Sequence, residues 1–148
     1  MLRRIESWPE WKIAFVLTAA ARGFYSAVAA VFSFFLHPDP ARVASNALTE
    51  NLASPGTWHY PLLGVWERFD TLWYLHIASH GYDQPHAVIF YPLYPAAIHA
   101  ISWVMPVTAA ALLVATAGAF FFFWAMARLA RQHSTGGALR TLLVVCAW

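Results

Sequence analysis

The sequence predicts an all-α integral membrane protein. Of its 148 residues, 60% are hydrophobic and only 11% are charged. A soluble globular domain carries about 25% charged residues, so this chain lacks the charge to cover a soluble surface. The apolar residues gather in runs long enough for membrane helices, and the polar residues gather between them. The formal net charge of +2 is too small to point to a nucleic-acid partner; the placement of Lys and Arg carries topology information instead. The single cysteine, Cys146, lies in an apolar run and leaves no intrachain disulfide to form.

Residues 13–36, "IAFVLTAAARGFYSAVAAVFSFFL", form the first apolar run. It exceeds the ~20 residues that a helix needs to cross a bilayer. Arg3, Arg4 and Lys12 precede it, which favours a cytoplasmic N-terminus. The rival reading is a cleaved signal peptide with Ala19–Ala21 at the cleavage site, but the run continues well past those residues. Arg22 is the one charge inside this helix. A charge at mid-membrane costs at least ~2.5 kcal/mol, so Arg22 should face protein, water or a lipid phosphate. It reads equally as a packing or snorkelling arginine.

Residues 37–86 are a non-cytoplasmic loop in this reading. Their first half, "HPDPARVASNALTENLASPGTWHYP", has the Pro, Asn, Ser and Gly spacing of a loop. Then comes "WERFDTLWYLHIASHGYD". From Glu67 to His80 it contains no Pro or Gly, and Gly81 stands where a helix C-cap would be. Leu72, Leu75, Ile77 and the rings alternate with Asp70, His76 and His80. The pattern predicts a short amphipathic helix over about 67–80 at the membrane surface, with Trp66, Trp73, Tyr74 and Tyr82 at headgroup level.

Residues 87–105, "AVIFYPLYPAAIHAISWVM", form a second apolar run, short for a span and readable as re-entrant. Pro92 and Pro95 interrupt its first half, so its regular helix is expected to start at Pro95. Residues 108–127 carry no charge and are just long enough to cross. A polar connection with Arg128, Arg131, His133 and Arg140 follows, and residues 138–148 read as the start of a further helix. A membrane helix does not end in mid-bilayer, so the expectation is the N-terminal part of a longer polytopic protein.

Asp70 is the leading chemical candidate. A carboxylate near the interface, partly dried by rings, suits general-base work on a hydroxyl. The bland reading makes Asp70 the N-cap of the helix that follows. Arg68 and Arg22 could grip a phosphate through the planar guanidinium fork. His76 and His80, at i and i+4, share a helix face and with Asp70, Asp83 or His86 could hold a metal. That spacing alone is weak, there is no HExxH and no cysteine ligand, and two interfacial histidines are the expected account, with no metal and no cofactor.

"RFDTLWYLHIASHGYD" followed by "IFYPLYPAAI" resembles the GPI mannosyltransferase II (PIG-V-like) family and its bacterial relatives, in the GT-C class of membrane glycosyltransferases. The match rests on Arg68, Asp70, Trp73, Tyr74, Ile77, Ala78, Gly81 and Tyr82, then Phe90, Pro92, Leu93, Tyr94 and Pro95. It departs at Phe69, Thr71 and Tyr91, where the family usually has Trp, Gly and Phe. It covers about residues 66–98. The resemblance implies the N-terminal part of a GT-C-type polytopic helical fold, in a bacterial cell membrane or the endoplasmic reticulum membrane. It implies a polyprenyl-phosphate-mannose donor, a membrane-associated glycan or glycolipid acceptor, and an acidic residue in the first non-cytoplasmic loop that acts on the acceptor hydroxyl. The matching position is Asp70, with Arg68, Arg22, Trp73, Tyr74 and Tyr82 as expected substrate contacts.

Topology holds a conflict. If all three runs cross, the basic 128–140 connection lies outside, whereas the positive-inside tendency prefers it inside and would make 87–105 non-crossing. The resemblance favours three crossings. The rival function is a small non-catalytic membrane transporter or assembly subunit, with Arg22 as an intramembrane functional charge and the loop as a docking surface.

Overall fold

The computed structural model describes residues 8–35, 48, 60 and 62–133. Among them it is all-helical. Helix α1 spans Glu10–Phe35, α2 Asp70–His80, α3 Leu93–Ser102 and α4 Val107–His133, with single 3-10 turns at Gly64–Trp66 and Ala87–Ile89. The expected truncated helix at 138–148 and most of the 37–59 loop lie outside the described residues.

Two helices, Glu10–Ser33 within α1 and Val107–Gln132 within α4, are long and apolar enough to cross a bilayer. A buried core helix of a soluble protein would also be long and apolar. Here only 6% and 11% of the respective apolar windows are buried. Phe15, Phe24, Phe32 and Phe35 on α1, and Phe121 and Phe122 on α4, stand exposed. Such surfaces are costly in water and at home in hydrocarbon.

Within the third apolar run the regular helix is short. α3 has ten residues, which rise about 15 Å at 1.5 Å per residue. The hydrocarbon core is about 30 Å thick. The helix starts at Leu93 rather than Pro95, with Pro92 at its N-cap position. Pro95 sits inside the first turn, where the missing N–H costs no helical bond. Pro106 separates α3 from α4.

The chain divides into two compact units, residues 1–24 with 115–148 and residues 25–114. In the first, Ile13 of α1 packs with Ala127 and Ala130 of α4, flanked by Trp8, Leu17 and Met126. Arg131 near the end of α4 meets the start of α1: its guanidinium lies 3.1 Å from the Glu10 carboxylate and donates to the Trp8 carbonyl. Further along, Arg22 Nε donates to Thr116 Oγ1 at 2.9 Å. Partner numbers fall on α4 as they rise on α1, so this helix pair is antiparallel.

In the second unit, Leu75 and Ala78 of α2, Ile98 of α3, and Ala110 and Ala111 of α4 form the core. Three of these five are alanines, which lets the backbones approach closely. Tyr94 spans the gap, its hydroxyl donating to the Ala111 carbonyl at 3.1 Å. α2 closes at Gly81, a C-cap with φ +80, a conformation that glycine adopts without penalty.

Candidate functional site

The polar residues of 66–83 fall into two groups, one at each end of α2. The first is the corner that opens the helix. The Thr71 amide donates to the Arg68 carbonyl at 3.1 Å, and Phe69 between them has φ 51 and ψ −130. That is the first central position of a type II′ turn, a place dominated by glycine. A bulky side chain there costs of order 1–3 kcal/mol. Phe69 is the one non-glycine residue with positive φ among the described residues, and its side chain is 88% exposed.

This turn sets where α2 begins, at Asp70 rather than at 67. Phe69 occupies the N-cap position and gives no side-chain cap. Asp70 is therefore the first helical residue, not the N-cap of the bland reading. It is exposed, and its charge suits the positive end of the helix dipole.

Both sides of the corner are anchored. Glu67 is 7% exposed and accepts a 2.6 Å hydrogen bond from the Thr108 hydroxyl in the first turn of α4. Arg68 donates through a terminal nitrogen to the Tyr60 hydroxyl at 3.1 Å. The Tyr60 ring packs so closely on Gly64 that a Cβ there would overlap it. Glycine is thus required at 64 by the close approach of the ring that positions Arg68.

The aromatic residues expected to touch substrate have internal partners. Trp73 stacks on Phe90, with centroids 5.6 Å apart and planes 18° from parallel. Tyr74 meets Phe90 and Tyr94 edge-on, at 5.0 Å and 4.9 Å. The Tyr82 hydroxyl donates to the Phe90 carbonyl at 2.8 Å. These rings hold α2, the 81–92 loop and α3 together.

The second polar group lies at the far end of α2. His76 Nε2 is 2.7 Å from Asp83 Oδ1, and the His76 ring stacks on His80 at 4.8 Å. The hydrogen bond from His76 holds the Asp83 carboxyl below its ordinary range, partly opposed by desolvation. Among the described residues no three His, Cys, Asp or Glu side chains are placed to hold a metal ion. Beside this group runs an apolar groove of about 470 Å³, lined by Ile77, Ala78, Tyr82, Pro95, Ala96 and His99, among others. His99 presents Nδ1 to the Ala78 carbonyl at 2.7 Å, a contact that requires the proton on Nδ1.

Of the expected site residues, Arg68, Asp70, Trp73, Tyr74 and Tyr82 belong to the second unit, with Arg68 and Asp70 on one turn. Tyr82 alone of these five lines the groove. Arg22 belongs to the first unit. Sequence reasoning missed the anchors Tyr60 and Thr108 and the stacking role of Phe90. Comparison with protein-family models, with curated proteins and with solved structures finds no match for this chain.

Proposed function

We propose that this chain forms part of a multi-pass GT-C-type membrane glycosyltransferase, similar to the PIG-V-like mannosyltransferases, that transfers mannose from a polyprenyl-phosphate donor to a membrane-associated acceptor. One observation carries the reading: Arg68 and Asp70 flank a single strained turn that Glu67 ties to the first turn of a membrane-length helix. An acid and a guanidinium thereby sit on one turn, next to a segment long and apolar enough to cross a bilayer. The residues that carry the resemblance include both.

The chemistry follows from the two side chains. The Asp70 carboxylate takes the proton of the acceptor hydroxyl as its oxygen bonds to the anomeric carbon of the donor mannose. The bond from that carbon to the phosphate oxygen breaks, and its electron pair leaves with the polyprenyl phosphate. The departing phosphate gains a negative charge. Arg68 meets that charge by exchanging its neutral Tyr60 partner for phosphate oxygens, a stronger charge-assisted pairing. Phosphate is a good leaving group, so the step needs no separate general acid.

The test is mannose transfer by the full-length protein, wild type against Asp70→Asn, at matched membrane levels. Phe69, not Asp70, holds the N-cap position, so the variant should fold normally. Loss of the base should slow transfer by about 10²–10⁴. Near-normal turnover in Asp70→Asn would remove the proposed base and with it this mechanism.

A further inference from the structure

Phe69 combines three features that seldom occur together. Its backbone has φ 51, in a turn position where glycine is unstrained. Its ring is 88% exposed, so packing among the described residues does not offset that strain. Its sequence neighbours are Arg68 and Asp70, both exposed charges. A side chain retained at a cost to the fold, with no packing return, finds its contact outside the fold. Trp73, Tyr74 and Phe90 differ in this respect, because their rings are partnered.

The chemistry of the neighbours selects the contact. A ring meant for hydrocarbon would not be bracketed by a guanidinium and a carboxylate, whose charges are costly to bury in lipid. A ring face beside an anionic acceptor and a cationic donor of hydrogen bonds suits a ligand with C–H faces and hydroxyl edges. Sugars have that shape. We infer that Phe69 is a carbohydrate-stacking residue: its ring packs against the acceptor sugar whose hydroxyl Asp70 engages. The inference rests on the transferase reading and adds the feature of the acceptor that the corner recognises, a pyranose face.

The strain supplies a test in which structure and binding move in opposite directions. Phe69→Gly relieves the backbone and removes the ring; Phe69→Trp keeps a ring. In the full-length protein in detergent, thermal unfolding gives the structural readout. Saturable binding of octyl α-mannoside, followed by saturation-transfer NMR, gives the ligand readout, and mannose transfer to the same glycoside is followed in parallel. Phe69→Gly should unfold at the wild-type temperature or above it, yet bind octyl α-mannoside at least tenfold more weakly. Phe69→Trp should bind within about threefold of wild type, as expected where one aromatic face replaces another. Equal binding by wild type and Phe69→Gly overturns the inference, and so does a lower unfolding temperature for Phe69→Gly, which would make the ring structural. Wild-type protein that binds the glycoside through Phe69 but transfers no mannose would overturn the transferase reading and leave Phe69 as a sugar-stacking residue only.

Discussion

The Glu67 carboxylate accepts a 2.6 Å hydrogen bond from the hydroxyl of Thr108, 41 residues away. Both residues are buried, at 7% and 4% exposure. The bond ties the corner that carries Arg68 and Asp70 to the first turn of α4. Its energetics are asymmetric. A hydrogen bond to a charged group contributes roughly 1.5–3 kcal/mol, and a buried carboxylate stripped of a donor loses that and its hydration as well. Thr108→Val should therefore lower stability by about 1.5–3 kcal/mol, and Thr108→Ser, which keeps the hydroxyl, should stay close to wild type. Reversible unfolding of the three proteins in bicelles measures this. Equal stability of the Val and Ser variants would show that the bond contributes nothing net.

A second pairing makes the far end of α2 sensitive to acid. The His76 hydrogen bond lowers the Asp83 pKa below its ordinary 3.8. A carboxyl whose folded pKa is depressed contributes stability that is fully present above the unfolded value and lost as pH falls through the folded one. The window therefore opens near 3.8 and runs downward. Amide exchange in residues 76–83 should speed up in wild type below that pH relative to Asp83→Asn, which cannot carry the charge. Above it, the variant should exchange faster, because its hydrogen bond to His76 is weaker. Parallel pH profiles for the two proteins would mean that the contact contributes no linkage.

The membrane-length helices were legible because residues 13–36 and 108–127 are apolar runs with at most one charge, at the length a span needs. Their ends were less so. α4 runs on from 127 to His133, where Arg131, which reads as part of a polar connection, meets Glu10 and the Trp8 carbonyl. α2 starts late because the turn at Phe69 intervenes, and nothing in the residue types marks phenylalanine for positive φ. The grouping of Arg68 with Asp70 followed from their adjacency. Their supports did not. Arg22 and Thr116 are 94 residues apart, and which hydroxyl meets which charge is decided by helix packing. His76 and His80, spaced i and i+4, form a stacked pair with Asp83 hydrogen-bonded to His76.

The Arg22–Thr116 bond gives the arginine of the first apolar run a partner across the helix pair. Interhelical hydrogen bonds in membranes contribute modestly, about 0.6 kcal/mol on average and up to ~1.7. Removing only the acceptor should cost more than removing both groups, because Thr116→Val leaves a charge with one fewer ligand. Thr116→Val should therefore be less stable than Arg22→Leu/Thr116→Val in the same unfolding assay. The reverse order would mean that Arg22 is satisfied elsewhere. Donor kinetics add a separate readout: a raised KM for the polyprenyl donor in Arg22→Leu, with folding intact, would return Arg22 to the phosphate-contacting role its position suggested.

The antiparallel pairing of α1 and α4 leads to a topology that can be tested directly. Glu10 meets Arg131, Ile13 packs with Ala127 and Arg22 bonds to Thr116, so the start of α1 and the end of α4 lie at the same end of this helix pair. A two-span arrangement, in which α3 does not cross, predicts that the chain between the two helices emerges on the opposite face. Lys12, Arg128 and Arg131 then gather on one side, which the positive-inside tendency assigns to the cytoplasm. In that arrangement the conflict of three crossings does not arise, and the basic end of α4 needs no lipid-phosphate explanation outside the cell. Three single-cysteine proteins in a Cys146→Ser background discriminate the arrangements: Trp11→Cys, Val88→Cys and Gln132→Cys, all at exposed positions. On intact cells a membrane-impermeant maleimide should label Val88→Cys alone, and the other two only after lysis. Labelling of Gln132→Cys together with Val88→Cys on intact cells would restore the third crossing. Labelling of Trp11→Cys and Gln132→Cys without Val88→Cys would keep the helix pair and reverse its orientation, placing Asp70 on the cytoplasmic face, away from the side on which the transferase reading sets its acceptor.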